Sequence, residues 1–419
     1  MWFRILLLPA VLTALLAAPS APRRDYQQRV DEVRRMPGFV ALWDFVKRDP
    51  ATLRFDAYKA PGERHDFQLD AVNYVRDYWN EGRAATYADF PLLGSGPFGQ
   101  AIQIKNETDR EFRPCLLVPR SRLHDSAIDV KGRGRSVSMV AWLIRDSGNH
   151  AIAGIWHEGT DVSSATAPAS RVEHGMRQYA LFAGLAANNG GAAAHVSENG
   201  GSSFGDRYAR NLAVTPEVIP AAPAWVAVGF AFDDRKHTVT AYLDGTAHDY
   251  WIEYPERHAF FQWPYKGWVQ AQLRRMPGRQ EGEDPAFPAD QFYEPPEGKP
   301  LSRTVLEQRS AERVELHVYA FTKVRVTLRK DPNGRFTIVT KRELAALRAN
   351  PFWFAHDLYA PPTMKDGGPF TIGRVIHSSR SVGFTGYIGG VAVFDRAISP
   401  RQMQRLAAIA HNQPLTTAR

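Results

Sequence analysis

The chain has 419 residues, 44% hydrophobic and 23% charged, which is enough apolar material for a sizeable core and too much for general disorder. Its formal charge of +8 is scattered in short clusters such as 131–135, which excludes a nucleic-acid stripe and leaves solubility and a bias toward acidic glycans. The single cysteine, Cys115, excludes an intramolecular disulfide, and its Cys-Leu-Leu-Val setting reads as a small buried side chain.

In chain order, a basic start at Met1–Arg4 and the apolar run Ile5–Ala18 read as a signal segment, cut after Ser20. The alternative is an uncleaved anchor, but the run is broken by Pro9 and is shorter than the about 20 apolar residues a bilayer span needs. No later stretch is long and apolar enough to span, so the expected location is secreted or periplasmic. Residues 21–37 form a polar leader with a short helix that Pro37-Gly38 breaks. Phe39–Phe45 has the composition of a first buried strand. Short apolar or alternating runs follow between Gly, Asn, Asp and Pro: Ser136–Ile144, Ala151–His157, Tyr179–Leu185, Ala224–Phe232 and His237–Leu243. In Asp244-Gly245 the glycine suits a hairpin turn. Later, Arg313–Tyr319 and Lys323–Leu328 alternate as strands before an Asp-Pro-Asn-Gly turn at 331–334. Helical periodicity is convincing at Lys341–Ala349 and at Ser399–His411, where Ser399 is a natural N-cap and Pro400 a natural first residue. Many short strands between turn signals predict a mainly β sandwich or barrel.

Several blocks together resemble a known family. They are Phe39–Phe45, Gly96–Ile104 (GPFGQAIQI), Val137–Ile144 with Ala151–Ile155, and Pro223–Val228 with Val239–Gly245 (VTAYLDG). Pro369–Arg374, Phe384–Val391 and Phe394–Ser399 continue the series in the same order. The chain resembles the concanavalin-A-like lectin/glucanase superfamily, specifically its laminin-G-like domains. The resemblance implies a two-sheet jelly-roll sandwich over 38–412, with a C-terminal helix and with Trp43, Trp142 and Trp225 in the core. It leaves unmatched an insertion at about 46–95 and a long one at 246–368. Long inserts on a sandwich are usually functional or capping.

Three groups could carry chemistry. Glu107, Asp109 and Glu111 repeat the E-x-D-x-E of laminarinase-type hydrolases, which line a cleft from one strand; a retaining pair sits about 5 Å apart. Here Lys105-Asn106, Thr108 and Arg110 intervene, which reads as a solvated turn. Trp156, His157, Glu158, His174, Tyr179 and His195, near Arg177, Asn188 and Asn189, could supply a lyase's His/Tyr acid–base pair, or simply contact a ligand. In the long insert, Trp251, Trp263, Tyr265, Trp268 and Trp353 could stack on sugar rings. The plainer reading makes them the insert's own small core, packed onto the sandwich. No cofactor motif is present; the resemblance leaves room for a structural calcium, while His157, His174 and His195 lack zinc spacing.

The expectation is therefore an exported carbohydrate- or cell-surface-binding β-sandwich protein without an evident catalytic motif. Its partner would be a glycan or polysaccharide, or another surface protein, and not nucleic acid. The alternatives are a glycoside hydrolase or polysaccharide lyase on the same fold, and a structural or protein-interaction module.

Overall fold

The computed structural model describes residues 23–148, 150–157, 176–184, 190–200, 212–221, 223–275, 292–376 and 380–411. The signal segment, Glu158, His174, Asn188 and Asn189 lie outside the described residues.

The first strands are β1 (Phe39–Trp43), β2 (Tyr58–Lys59), β3 (Asp70–Asn73), β4 (Ile102–Ile104) and β5 (Pro114–Val118). Next come β6 (Val137–Ser147), β7 (His150–Trp156), β8 (Arg177–Ala183), β9 (Gly191–Val196), β10 (Leu212–Val218), β11 (Val226–Asp233) and β12 (Thr238–Leu243). The long insert contributes β13 (Tyr250–Glu253), β14 (Ser302–Gln308), β15 (Glu312–Val318), β16 (Thr322–Lys330), β17 (Phe336–Asn350) and β18 (Phe352–Trp353). The last two are β19 (Phe370–Ile372) and β20 (Thr385–Phe394). Among the described residues the α-helices are α1 (Arg23–Arg34), α2 (Tyr74–Trp79), α3 (Arg120–Leu123), α4 (Gln262–Arg274) and α5 (Pro400–His411).

The named strands pair antiparallel, and isolated parallel bridges join Arg145 to Ala221 and His157 to Ile376. The first sheet runs β18-β12-β11-β6-β20-β1-β2 with β4 added to β20; the second runs β10-β9-β8-β7-β19-β5-β3. Their facing sides share one core, so the chain is a β-sandwich with a C-terminal helix. Strand alternation explains why β6 is apolar almost throughout. Val137, Met139, Ala141 and Leu143 point into the sandwich, while Val140, Trp142 and Ile144 point outward beneath α1 and α5. In α5 the buried residues Met403, Leu406, Ala407 and Ala410 recur at helical spacing. Its start is a capping box, with Gln402 N–H donating to Ser399 Oγ (3.4 Å) and Ser399 N–H to Gln402 Oε1 (2.7 Å). Trp43 stacks on Phe370 at 4.9 Å, Trp142 Nε1 donates to the Leu406 carbonyl (2.8 Å), and Trp225 is also buried.

The third sheet, β13-β17-β16-β15-β14, belongs wholly to the long insert. Here one expectation is corrected: Lys341–Ala349 is the second half of a fifteen-residue strand and not a helix. Its leucines and alanines favour helix, but β16 ends in the Asp331–Gly334 turn and presents a full row of backbone groups that β17 pairs along its whole length. Leu344, Leu347 and Ala349, with Val324, Val326 and Leu328 of β16, face inward. They meet Phe260, Phe261, Trp268, Tyr293, Phe352 and Phe354 in the same core cluster as the sandwich.

Candidate functional site

Glu107, Asp109 and Glu111 occupy the loop between β4 and β5, not a strand, and Asp109 and Glu111 are exposed. Two buried arginines grip this loop from beneath. Arg113 donates to the carbonyls of Glu107 (3.2 Å), Phe112 (2.8 Å), Asp109 and Arg380 (2.7 Å), and Arg374 to that of Lys105 (2.6 Å). The loop thus gives backbone oxygens to two cations, and its carboxylates do not line a cleft from one strand. Cys115 just beyond is wholly buried, and burial pushes its thiol up to about 12, the wrong direction for a nucleophile.

Trp156, His157, Arg177, Tyr179 and His195 are interior side chains. Trp156 lies against His195 (5.2 Å between ring centres) and Phe182 (5.9 Å), and His157 lies under Tyr78 (5.2 Å). Tyr179 donates its hydroxyl to the Ile128 carbonyl at 2.6 Å, and burial holds that hydroxyl well above its ordinary pKa. A proton shuttle at neutral pH needs the opposite shift. Beside it Asp129 is enclosed by Arg120 (2.7 Å), Lys131 (2.6 Å) and Gln178 (3.0 Å), an arrangement that ties α3 to β8. The described members of the predicted His/Tyr group are therefore interior side chains with different neighbours: His157 meets Tyr78, His195 meets Trp156 and Phe182, and Tyr179 meets Ile128.

The insert's tryptophans separate. Trp268 is buried in the core cluster beneath the third sheet, with the Arg342 guanidinium 5.8 Å from its ring centre. Trp263 packs on Ala271 and Phe292 and carries Lys266 over its ring at 4.2 Å. Trp353 lies edge-on to Tyr293 at 5.4 Å. Only Trp251 of the four stands on the open face of the third sheet. Alternation sends Ile252 inward and Trp251 and Glu253 outward. Lys323 Nζ lies 4.9 Å and the Arg348 guanidinium 5.8 Å from the Trp251 ring centre. Glu253 holds Lys323 at 2.7 Å, and Asp249 holds Arg348, so both cations near the ring are themselves anchored.

Further along the same face, the outward side chains of β14 to β17 line an open groove of about 420 Å³. Leu306, Glu307, Glu312, Val314, Arg325, Thr327, Thr340, Lys341 and Glu343 form its walls. Register brings Glu343 opposite Arg325 and Lys341 opposite Thr327, with Val314 across from Thr327 on the other side. Lys341 pairs with Glu343 at 2.8 Å. Reasoning from sequence missed these residues: the outward Arg325 and Thr327 were visible in the Val-Arg-Val-Thr alternation, but reading 341–349 as helix hid Lys341 and Glu343. Among the described residues, no three His, Cys, Asp or Glu side chains gather as metal ligands would, and no helix is long and apolar enough to cross a membrane.

No family model matches the chain, and no curated protein matches it in sequence. Among solved structures, domain 4 of an extracellular arabinanase from Geobacillus stearothermophilus, in complex with arabinotriose, gives a TM-score of 0.36 at 12% identity, covering 88% of this chain and 98% of that one. The binding domain of Paraclostridial Mosquitocidal Protein 1 gives 0.34 at 7% identity, covering 91% and 53%. The binding domain of Botulinum neurotoxin DC in complex with SialylT gives 0.33 at 8% identity, covering 90% and 52%. This chain thus spans about half the length of the two toxin structures. At such low TM-scores, what those proteins bind is a property of those proteins.

Proposed function

We propose that this chain is an exported, non-catalytic glycan-binding protein of the concanavalin-A-like, laminin-G-like class, and that its ligand surface is the open face of the third sheet. The observation that carries the reading is Trp251, half-buried on the outward side of the sheet with the anchored Lys323 and Arg348 near its ring, on the same face as a polar groove. An indole presents an apolar face to the C–H side of a sugar ring, and the groove presents donors and acceptors to its hydroxyls. Export rests on the Met1–Ser20 segment, whose sequence has the form of a signal peptide.

A glycan array, followed by calorimetry on its hits, tests this. Trp251→Ala is expected to weaken binding about tenfold, roughly 1.4 kcal/mol, while Trp251→Tyr keeps most of it. Wild-type protein that binds no glycan, or an Ala variant that binds as well as wild type, sinks the reading.

One observation favours an enzyme on the same face: Glu307, Glu312 and Glu343 share the groove, and carboxyl pairs are what glycoside hydrolysis uses. Reducing-end and unsaturated-uronate release, measured beside the binding screen, separates the two. Product formation abolished by Glu312→Gln or Glu343→Gln would replace the binding reading with a catalytic one.

A further inference from the structure

The groove's charge runs against that of the chain. The whole sequence carries +8, but the groove is lined by three carboxylates, Glu307, Glu312 and Glu343, and two cations, Arg325 and Lys341. Their commitments differ. Lys341 and Glu343 hold each other at 2.8 Å, and Arg309 approaches Glu307 at 3.8 Å. Arg325 and Glu312 have no ion-pair partner among the described residues. Thr340 Oγ1 donates to the Thr327 carbonyl (3.2 Å), which leaves its oxygen free to accept.

We infer that the groove selects uncharged, hydroxyl-rich sugar and turns acidic sugar away, an inference that rests on the glycan reading of this face. A guanidinium only donates and a carboxylate only accepts, so Arg325 and Glu312 in one groove offer both halves of a hydrogen-bond pattern. Neighbouring sugar hydroxyls match it, because each can give one hydrogen bond and take another. A uronate or a sulfate matches only half. Its oxygens suit Arg325, but they meet Glu307 and Glu312 with no proton to share and a like charge to overcome. Of the chain's other cations, Arg309 approaches Glu307 and Arg329 stands across from Glu312, so the preference rests on the hydrogen-bond pattern and carboxylates of the lining and not on the sign of the whole chain.

The full chain is titrated calorimetrically with three kinds of probe: neutral cello-, xylo- and malto-oligosaccharides, an oligogalacturonide, and dextran sulfate. Each titration is run at low and at physiological salt. At least one neutral probe is expected to bind with an affinity that salt hardly changes, and Arg325→Gln should weaken it about tenfold. The double variant Glu307→Gln/Glu312→Gln should raise the affinity of the acidic probes about tenfold. These side chains line an open groove, and a thermal unfolding curve for each variant confirms that the fold is intact. The inference is overturned if an acidic probe binds wild type more tightly than every neutral one, weakens with salt and is lost in Arg325→Gln; the glycan reading then survives. It is also overturned if all variants bind as wild type does. Failure of every probe to bind sinks the inference and the glycan reading together.

Discussion

Asn350 is wholly buried where β17 passes the edge of the first sheet, and its amide joins the two. It accepts from Ala241 N–H (2.9 Å) and donates to the carbonyls of Ala241 and His248 (3.0 Å each). Replacement by Ala leaves those backbone groups buried without partners, so Asn350→Ala is expected to cost about 3 kcal/mol in denaturant unfolding. Asp129 is a second such residue. Burial alone would raise its pKa, but hydrogen bonds from Lys131 and Arg120 outweigh burial and hold the carboxyl below the ordinary range. A depressed folded pKa means that the contribution is present above the unfolded-state value and is lost as pH falls through the folded one. Wild-type stability should therefore drop on acidification through and below the ordinary carboxylate range. Asp129→Asn should lose about 3 kcal/mol at neutral pH, because Arg120 is left buried and uncompensated, and should show a shallower acid limb. Unfolding curves at stepped pH measure both. An Asn variant with the same acid limb as wild type would show that Asp129 is not the titrating group. Nothing in the sequence marked either residue: Asn350 acts through partners about a hundred residues away, and Asp129, although Lys131 and Arg120 are close in sequence, gains its role only from the burial that the fold imposes.

At the scale of elements, strands with one dominant periodicity were readable from sequence. β6, β7, β11 and β12 fall where alternating apolar runs predicted them, and α5 begins at the expected cap. β17 was not readable, because Lys341–Ala349 consists of good helix formers and its strand state is imposed by the unpaired edge of β16. That misreading cost most of the groove, whose residues have meaning only once the strands are in register. The Asp244-Gly245 turn was foreseen, but the packing against it was not. Gly245 has φ +75°, and a Cβ there would lie 2.7 Å from the Gln404 Cα of α5. The turn glycine thus also seats the helix. Gly245→Ala is expected to cost about 2 kcal/mol, combining left-handed strain with displacement of α5. Hydrogen exchange should show lost protection at Met403–Ala410 with little change in β7 or β8. An equal loss in all of them would assign the effect to global stability instead.

At the scale of the molecule, the sequence suggested a sandwich interrupted by an insert with a small core of its own packed onto it; the structure has such a cluster at Trp263, Ala271 and Phe292, but places most of the insert's described buried side chains in the sandwich's own core cluster. Phe352 shows why the difference matters. It is buried, lies 5.5 Å from Tyr293 and 6.2 Å from Phe261, and belongs to β18, which pairs with β12 at the edge of the first sheet. Two residues on, Phe354 meets Phe232 of β11 edge-on at 5.7 Å, so side chains of the insert and of the sandwich exclude water from the same space, and neither can open there without exposing the other. Such sharing predicts a single cooperative unfolding transition, even though a chain of this length often splits into independently melting parts. Phe352→Ala should cost about 3–4 kcal/mol and shift that whole transition without dividing it. Hydrogen exchange at β6 in the sandwich and β16 in the insert, read through the denaturant transition, provides the check. Coincident midpoints that move together in the variant support a shared core. An early loss at β16 while β6 stays protected would show the third sheet to be a separately folding unit, and the groove would then depend on the sandwich for position rather than for stability.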